Sequence, residues 1–153
     1  MPLKIAAKVG AKDRDYFERE IRPLLALPGI EYIGEIGDDD KSEFLSGALA
    51  LLMPIDWPEP FGLVMIEAMA CGTPVIAFRS GSVPEVVEHG VTGLIVDDEA
   101  AAVDAINSRL AQMPRMPVTP WSSTSGTEPQ FHAITGVPQA IASIITSPKG
   151  SGH

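Results

Sequence analysis

The sequence predicts an α/β fold in which a parallel sheet is covered by helices on both faces. Three observations carry this. Segments of strand character alternate with segments of helical periodicity five times along residues 3–112. The run Ala48-Leu49-Ala50-Leu51-Leu52-Met53-Pro54 is apolar throughout, which suits a strand buried on both faces. Residues 56–78 then read as a loop, a helix, a glycine turn and a strand in succession. Such an order implies right-handed crossovers between parallel strands.

The elements follow from local chemistry. Leu3-Lys4-Ile5-Ala6-Ala7-Lys8-Val9 reads as a strand that ends at Gly10. Residues 13–27 carry Tyr16, Phe17, Ile21, Leu24 and Leu25 at helical spacing, with Asp13 as the expected cap and Pro28-Gly29 as the stop. Residues 30–37 form a second strand with a polar tip. Asp38-Asp39-Asp40 places negative charge at the start of a helix over 41–47, where the helix dipole favours it. That position explains the three aspartates better than a cation site does. After the apolar strand 48–54, the two prolines around Glu59 hold residues 58–60 out of helix. Leu63 to Cys71 is the next helix, Gly72 suits its left-handed end, and Val75–Phe78 is a strand. Ser82 with Glu85 predicts a capping box for a short helix that runs through His89 to Gly90. His89 is read there as structural. A strand over 91–96 and a helix over 99–112 complete a Rossmann-like domain. Its ligand site should lie beyond the C-terminal ends of the strands, where residues 56–62 fall.

Composition narrows the function classes. The chain has 153 residues, 45% of them apolar, enough for one core. A formal net charge of −9 argues against non-specific nucleic-acid binding, which needs clustered lysine and arginine. Cys71 is the sole cysteine, so no disulfide framework exists, and its apolar surroundings favour a structural thiol over a nucleophile. No stretch reaches the length of a membrane span and the N-terminus does not read as a signal peptide, so the expected location is cytoplasmic. From Met113 the composition shifts to proline, serine and threonine. The expected organisation is therefore a Rossmann-like domain over 1–112 and a linker with an atypical tail over 113–153.

Chemistry concentrates in residues 56–77. Between Leu63 and Cys71 every residue but Glu67 is apolar or small, so the helix is expected to be buried on nearly all sides. Glu67 should then sit at its one polar opening, facing hydrogen-bond donors such as a ribose diol. Glu59-Pro60-Phe61-Gly62-Leu63, with Glu67 eight residues after Glu59, resembles the Glu-x7-Glu motif of retaining glycosyltransferases with the GT-B fold. The resemblance is to family 4 (group 1), whose members commonly show EPFG…EAMACGTPV…G…E…G, and it spans residues 3–106. It implies that Glu67 binds the ribose hydroxyls of a nucleotide diphosphate sugar. It further implies that Glu59 contacts the donor sugar as the catalytic candidate, and that the amides of Phe61, Gly62 and Leu63 meet the diphosphate or sugar. A helix N-terminus suits that last role. No cofactor and no metal are implied, since the nucleotide sugar enters as donor substrate.

The chain departs from that family in three ways. It lacks the acceptor-binding domain, the strand and helix that open the donor domain with basic diphosphate-binding residues, and the long closing helix. Whether the chain alone is an enzyme is thus open, and the isolated chain is expected to show no sugar transfer. The reading is the donor-binding half of a retaining glycosyltransferase. Its alternative is a non-catalytic remnant or a self-associating nucleotide-sugar-binding module. A dinucleotide-binding protein is disfavoured, because no Gly-x-Gly-x-x-Gly follows a strand. Loss of the first strand also leaves a gap between 3–9 and 48–54 in the centre of the sheet. Direct closure, residues 130–146, a second copy of the chain or a separate acceptor-domain protein could fill it. A homodimer is the expected solution.

Overall fold

The structure is a computed structural model that describes residues 2–58, 60–113 and the backbone of 142–146. Among these residues six strands form one sheet in the order β2-β1-β6-β3-β4-β5. The strands are β1 (Leu3–Ala6), β2 (Ile30–Gly34), β3 (Ala48–Met53), β4 (Val75–Phe78), β5 (Gly93–Val96) and β6 (Ala142–Thr146). β1 runs parallel to β2, and β3, β4 and β5 are mutually parallel. The helices are α1 (Arg14–Tyr16), α2 (Arg22–Leu25), α3 (Asp38–Ser46), α4 (Leu63–Ala70), α5 (Val83–Val86) and α6 (Glu99–Asp104).

The central gap is filled from within the chain. β6 runs antiparallel to both of its neighbours, pairing Lys4 with Ile144 on one side and Leu51 with Ile144 on the other. β1 and β3 therefore do not close directly. The sheet departs from the all-parallel expectation at this one strand, for a simple reason. An unpaired edge needs backbone donors and acceptors, and these are supplied by a strand of either direction. Ala-Ser-Ile-Ile-Thr, with three of its five residues β-branched, suits such a strand. A second copy of the chain is not needed to satisfy these edges. The remainder of the tail, 114–141 and 147–153, lies outside the described residues.

Strand alternation divides the core between the two faces. Leu51, Met53, Val75, Ala77 and Ile95 meet Leu45 of α3, Met65 and Ala68 of α4 and Val83 of α5. Ala50, Ile76, Leu94 and Val96 meet Ala105 and Leu110 in the helical stretch that continues α6. Gly93 is required where it stands, because a Cβ there would lie 2.2 Å from the Val75 carbonyl oxygen. Thr73, fully buried, donates to the carbonyl of Leu45 at 2.7 Å and ties the end of α4 to the end of α3.

Several boundaries differ from expectation. The helix expected over 13–27 is α1 and α2 joined by a π segment, Phe17–Ile21. Pro23 lies just beyond that segment, and a proline inside a helix removes one ladder donor and crowds the preceding turn. Asp13 makes no side-chain cap there. α3 begins earlier than 41, at Asp38, so the three aspartates form its first turn. α5 ends at Val86, and β5 begins only at Gly93. The expected capping box does not form: Ser82 makes no side-chain cap, and its buried Oγ has no hydrogen-bond partner among the described residues.

Candidate functional site

Because β1 to β5 share one direction, the loops after them gather at one edge of the sheet. Side chains lace these loops together. Ser80, after β4, donates to the Trp57 carbonyl at 2.9 Å, which tethers the loop after β3. Arg79 pairs with Asp97 at 3.0 Å, joining the loops after β4 and β5. Tyr32 donates to the Ala7 carbonyl at 2.6 Å, and Lys8 pairs with Glu35 at 3.1 Å. The edge that should receive a ligand is thus held by loop-to-loop bonds, most of them exposed.

The turn into α4 is built around Gly62. It adopts a left-handed conformation, φ 56° and ψ 51°, which costs a residue with a Cβ about 1–2 kcal/mol. A Cβ there would also fall 2.2 Å from the Met65 methyl. Gly62→Ala is therefore expected to lower stability by about 1–2 kcal/mol, read as a reduced urea midpoint. An unchanged midpoint would show that the turn relaxes without strain. Phe61 and Leu63 flank this turn, exposed at 63% and 41%, while Gly62 between them is buried.

Glu67 lies one turn into α4, with 20% of its side chain exposed. The expectation of a helix buried on nearly all sides is corrected here. Met65 and Ala68 are buried, but Leu63 and Ile66 are exposed at 41% and 46%, and Ala70 is exposed too. Apolar composition exceeded what the two-layer packing can cover. Glu67 sits on the border between these faces, and its partner is a charge on the neighbouring helix. Lys41 Nζ, in the first turns of α3, stands 3.1 Å from Glu67 Oε1 and 3.0 Å from Asp38 Oδ1. Burial pulls the Lys41 pKa down, but hydrogen bonds to Asp38 and Glu67 outweigh it and leave the pKa raised.

The remaining candidates divide clearly. Gly62 caps α4, Phe61 precedes it, Leu63 is its first residue, and Glu67 lies one turn further along the same helix. Glu59 lies outside the described residues. Cys71 is half-buried, and burial first and the Glu67 charge second push its thiol up, away from reactive thiolate character. His89 Nδ1 accepts from the Ile95 amide at 3.1 Å, a structural contact. Among the described residues no group of three His, Cys, Asp or Glu side chains is placed to hold a metal ion. No helix among them is long and apolar enough to cross a membrane. Lys41 went unnoticed in the sequence, although one signal was available. It is the sole lysine or arginine between Arg22 and Arg79, within a strongly acidic stretch.

Comparison with known proteins decides the family. The family model described as Glycosyl transferases group 1 matches residues 7–116. The chain belongs to this family. Alpha-maltose-1-phosphate synthase of Mycolicibacterium smegmatis is 37% identical over 116 residues, which cover 72% of this chain and 30% of that protein. The enzyme of the same name from Mycobacterium tuberculosis is 43% identical over the same shares. Among solved structures, sucrose-phosphate synthase from Thermosynechococcus elongatus superimposes with a TM-score of 0.62 at 32% identity, over 71% of this chain and 29% of that one. Anabaena HepE, in complex with UDP and glucose, gives 0.59 at 27% identity, over 69% and 30%. The fold is thus the α/β Rossmann-like fold of GT-B glycosyltransferases. The chain spans about 30% of the length of these group 1 relatives.

Proposed function

We propose that the chain is the donor-binding half of a retaining glycosyltransferase and that it binds a nucleotide diphosphate sugar along α4, from the turn before it to Glu67. The observation that carries the reading is the placement of Glu67. A mostly buried carboxylate lies one turn into α4, the helix that follows the loop after β3. A carboxylate accepts hydroxyl hydrogen bonds from a ribose diol, and helix-start amides donate to phosphate oxygens. Neither group suits the other's partner. The complexes of HepE with UDP and with UDP-glucose support this reading, since their fold matches the present chain.

In the proposed mechanism Glu67 anchors the ribose, the 61–63 amides meet the diphosphate or sugar, and Glu59 holds the donor sugar. Transfer to an acceptor hydroxyl then proceeds with retention, and catalysis is mostly positioning and stabilisation of the departing diphosphate. The donor is a substrate, and no cofactor enters. Transfer would need an acceptor-binding domain, whether elsewhere in the same polypeptide or in a separate protein. A homodimer or a non-catalytic binding module is the alternative, and the site would be the same. The proposed location is the cytoplasm, where nucleotide sugars are made available to such enzymes.

Titration of the purified chain with UDP-, ADP- and GDP-sugars tests the reading. Saturable binding of at least one is expected, with no sugar transfer by the chain alone and at most slow donor hydrolysis. Absence of binding to every nucleotide sugar would refute the donor assignment. Robust transfer by a preparation free of host enzymes would refute the need for an acceptor domain.

A further inference from the structure

We propose that Lys41 is the positioning residue for the ribose-binding carboxylate: its ammonium, held between Asp38 and Glu67, fixes Glu67 Oε1 and turns Oε2 toward the ribose hydroxyls. This rests on the reading that Glu67 binds ribose. Lys41 Nζ lies 3.0 Å from Asp38 Oδ1 and 3.1 Å from Glu67 Oε1. Among the described residues no hydrogen bond reaches Glu67 Oε2. One carboxylate oxygen is therefore engaged and the other is available.

The contact joins two helices rather than two turns of one. Lys41 is on α3 and Glu67 on α4, and the helices are also tied at their far ends by the Thr73–Leu45 bond. The lysine stem is thus anchored on a packed element, and the side chain is only 30% exposed. A surface ion pair contributes little, because water competes and two long chains must be ordered. Here Asp38 restrains Lys41 from its own helix, so less freedom is lost when Glu67 is gripped. Charge adds a second reason. Asp38, Asp39, Asp40, Glu43, Asp56 and Glu67 all lie within the segment where Lys41 is the sole lysine or arginine. Without it, Glu67 would be one anion among many and would swing toward solvent.

Binding of UDP, with its 2′-deoxy analogue and with ADP and GDP run alongside, tests the proposal by calorimetry. Lys41→Met is expected to weaken UDP about tenfold, the scale for one hydrogen bond to a charged group, and to abolish the preference for ribose over deoxyribose. Lys41→Arg should restore most of both. Lys41→Met should add no further loss to Glu67→Gln. Should Lys41→Met fail to fold, Lys41→Gln, which keeps most of the stem and one donor, carries the same comparison. Loss of ribose preference in Glu67→Gln with full preference in the Lys41 variants would overturn the role of Lys41 alone. An unchanged preference in Glu67→Gln would overturn the ribose reading itself. A wild-type chain that binds none of these nucleotides overturns both.

Discussion

Replacement of Glu67 by alanine is expected to weaken nucleotide binding by about 1.5–3 kcal/mol, the range for hydrogen bonds to a charged group. In dissociation constants that is roughly ten- to 150-fold. Folding should change little, for a physical reason. Alanine keeps the Glu67 Cβ and removes one methylene from a mostly buried side chain, worth about 0.8 kcal/mol, and the one ion pair of Glu67 among the described residues, to Lys41, is partly exposed. Such pairs add at most about 1 kcal/mol. The core under α4 is made by Met65 and Ala68, which the substitution leaves alone. Calorimetry on wild type and variant, with thermal unfolding as the control, separates the two effects. Equal affinity in the two proteins would remove Glu67 from the site.

Proline at position 144 is expected to be the most damaging single change to the fold. β6 is an interior strand, so its backbone groups bond to β1 on one side and β3 on the other. Proline removes one ladder donor and does not fit a central strand, at a cost of about 3 kcal/mol or more. That is a large share of the roughly 5–15 kcal/mol that holds a typical domain. Loss of β6 would also expose the edges of β1 and β3, which then seek pairing with other chains. Ile144→Pro should lower the unfolding midpoint and raise the mass seen by light scattering, while the wild type scatters as one chain. If the variant melts like the wild type and remains monomeric, β6 is not part of the sheet. If the wild type scatters with twice the mass of one chain, a second copy contributes to the assembly.

Much of this architecture was legible before the structure. The continuous apolar run at 48–53 can be satisfied only where both faces are covered, and β3 is buried on both. The break in the sheet was expected too, from the resemblance to a family whose donor domain opens with a further central strand. Its repair was less so. Residues 142–146 have strand composition, but nothing local selects their direction or their neighbours, because pairing over such a separation is a tertiary choice. The apolar α4 misled for a related reason: composition states what could be buried, while packing decides what is. Leu63 and Ile66 remain exposed. Among the candidate site residues, Glu67 stood out because a lone carboxylate in an apolar helix demands a donor. Its donor was missed, because Lys41 lies 26 residues away on another helix. Sequence spacing carries no information about such a contact, although the shortage of other cations could have suggested it.

The central claim is that a nucleotide diphosphate sugar binds where α4 begins. The most direct measurement is a titration of the isotope-labelled chain with the tightest-binding nucleotide sugar, followed by amide chemical shifts. The account predicts saturable shifts at Phe61, Gly62, Leu63 and Glu67, with Lys41 following, and none in the helical stretch 14–25. Shifts confined to that stretch or to α6, with the start of α4 unmoved, would contradict it.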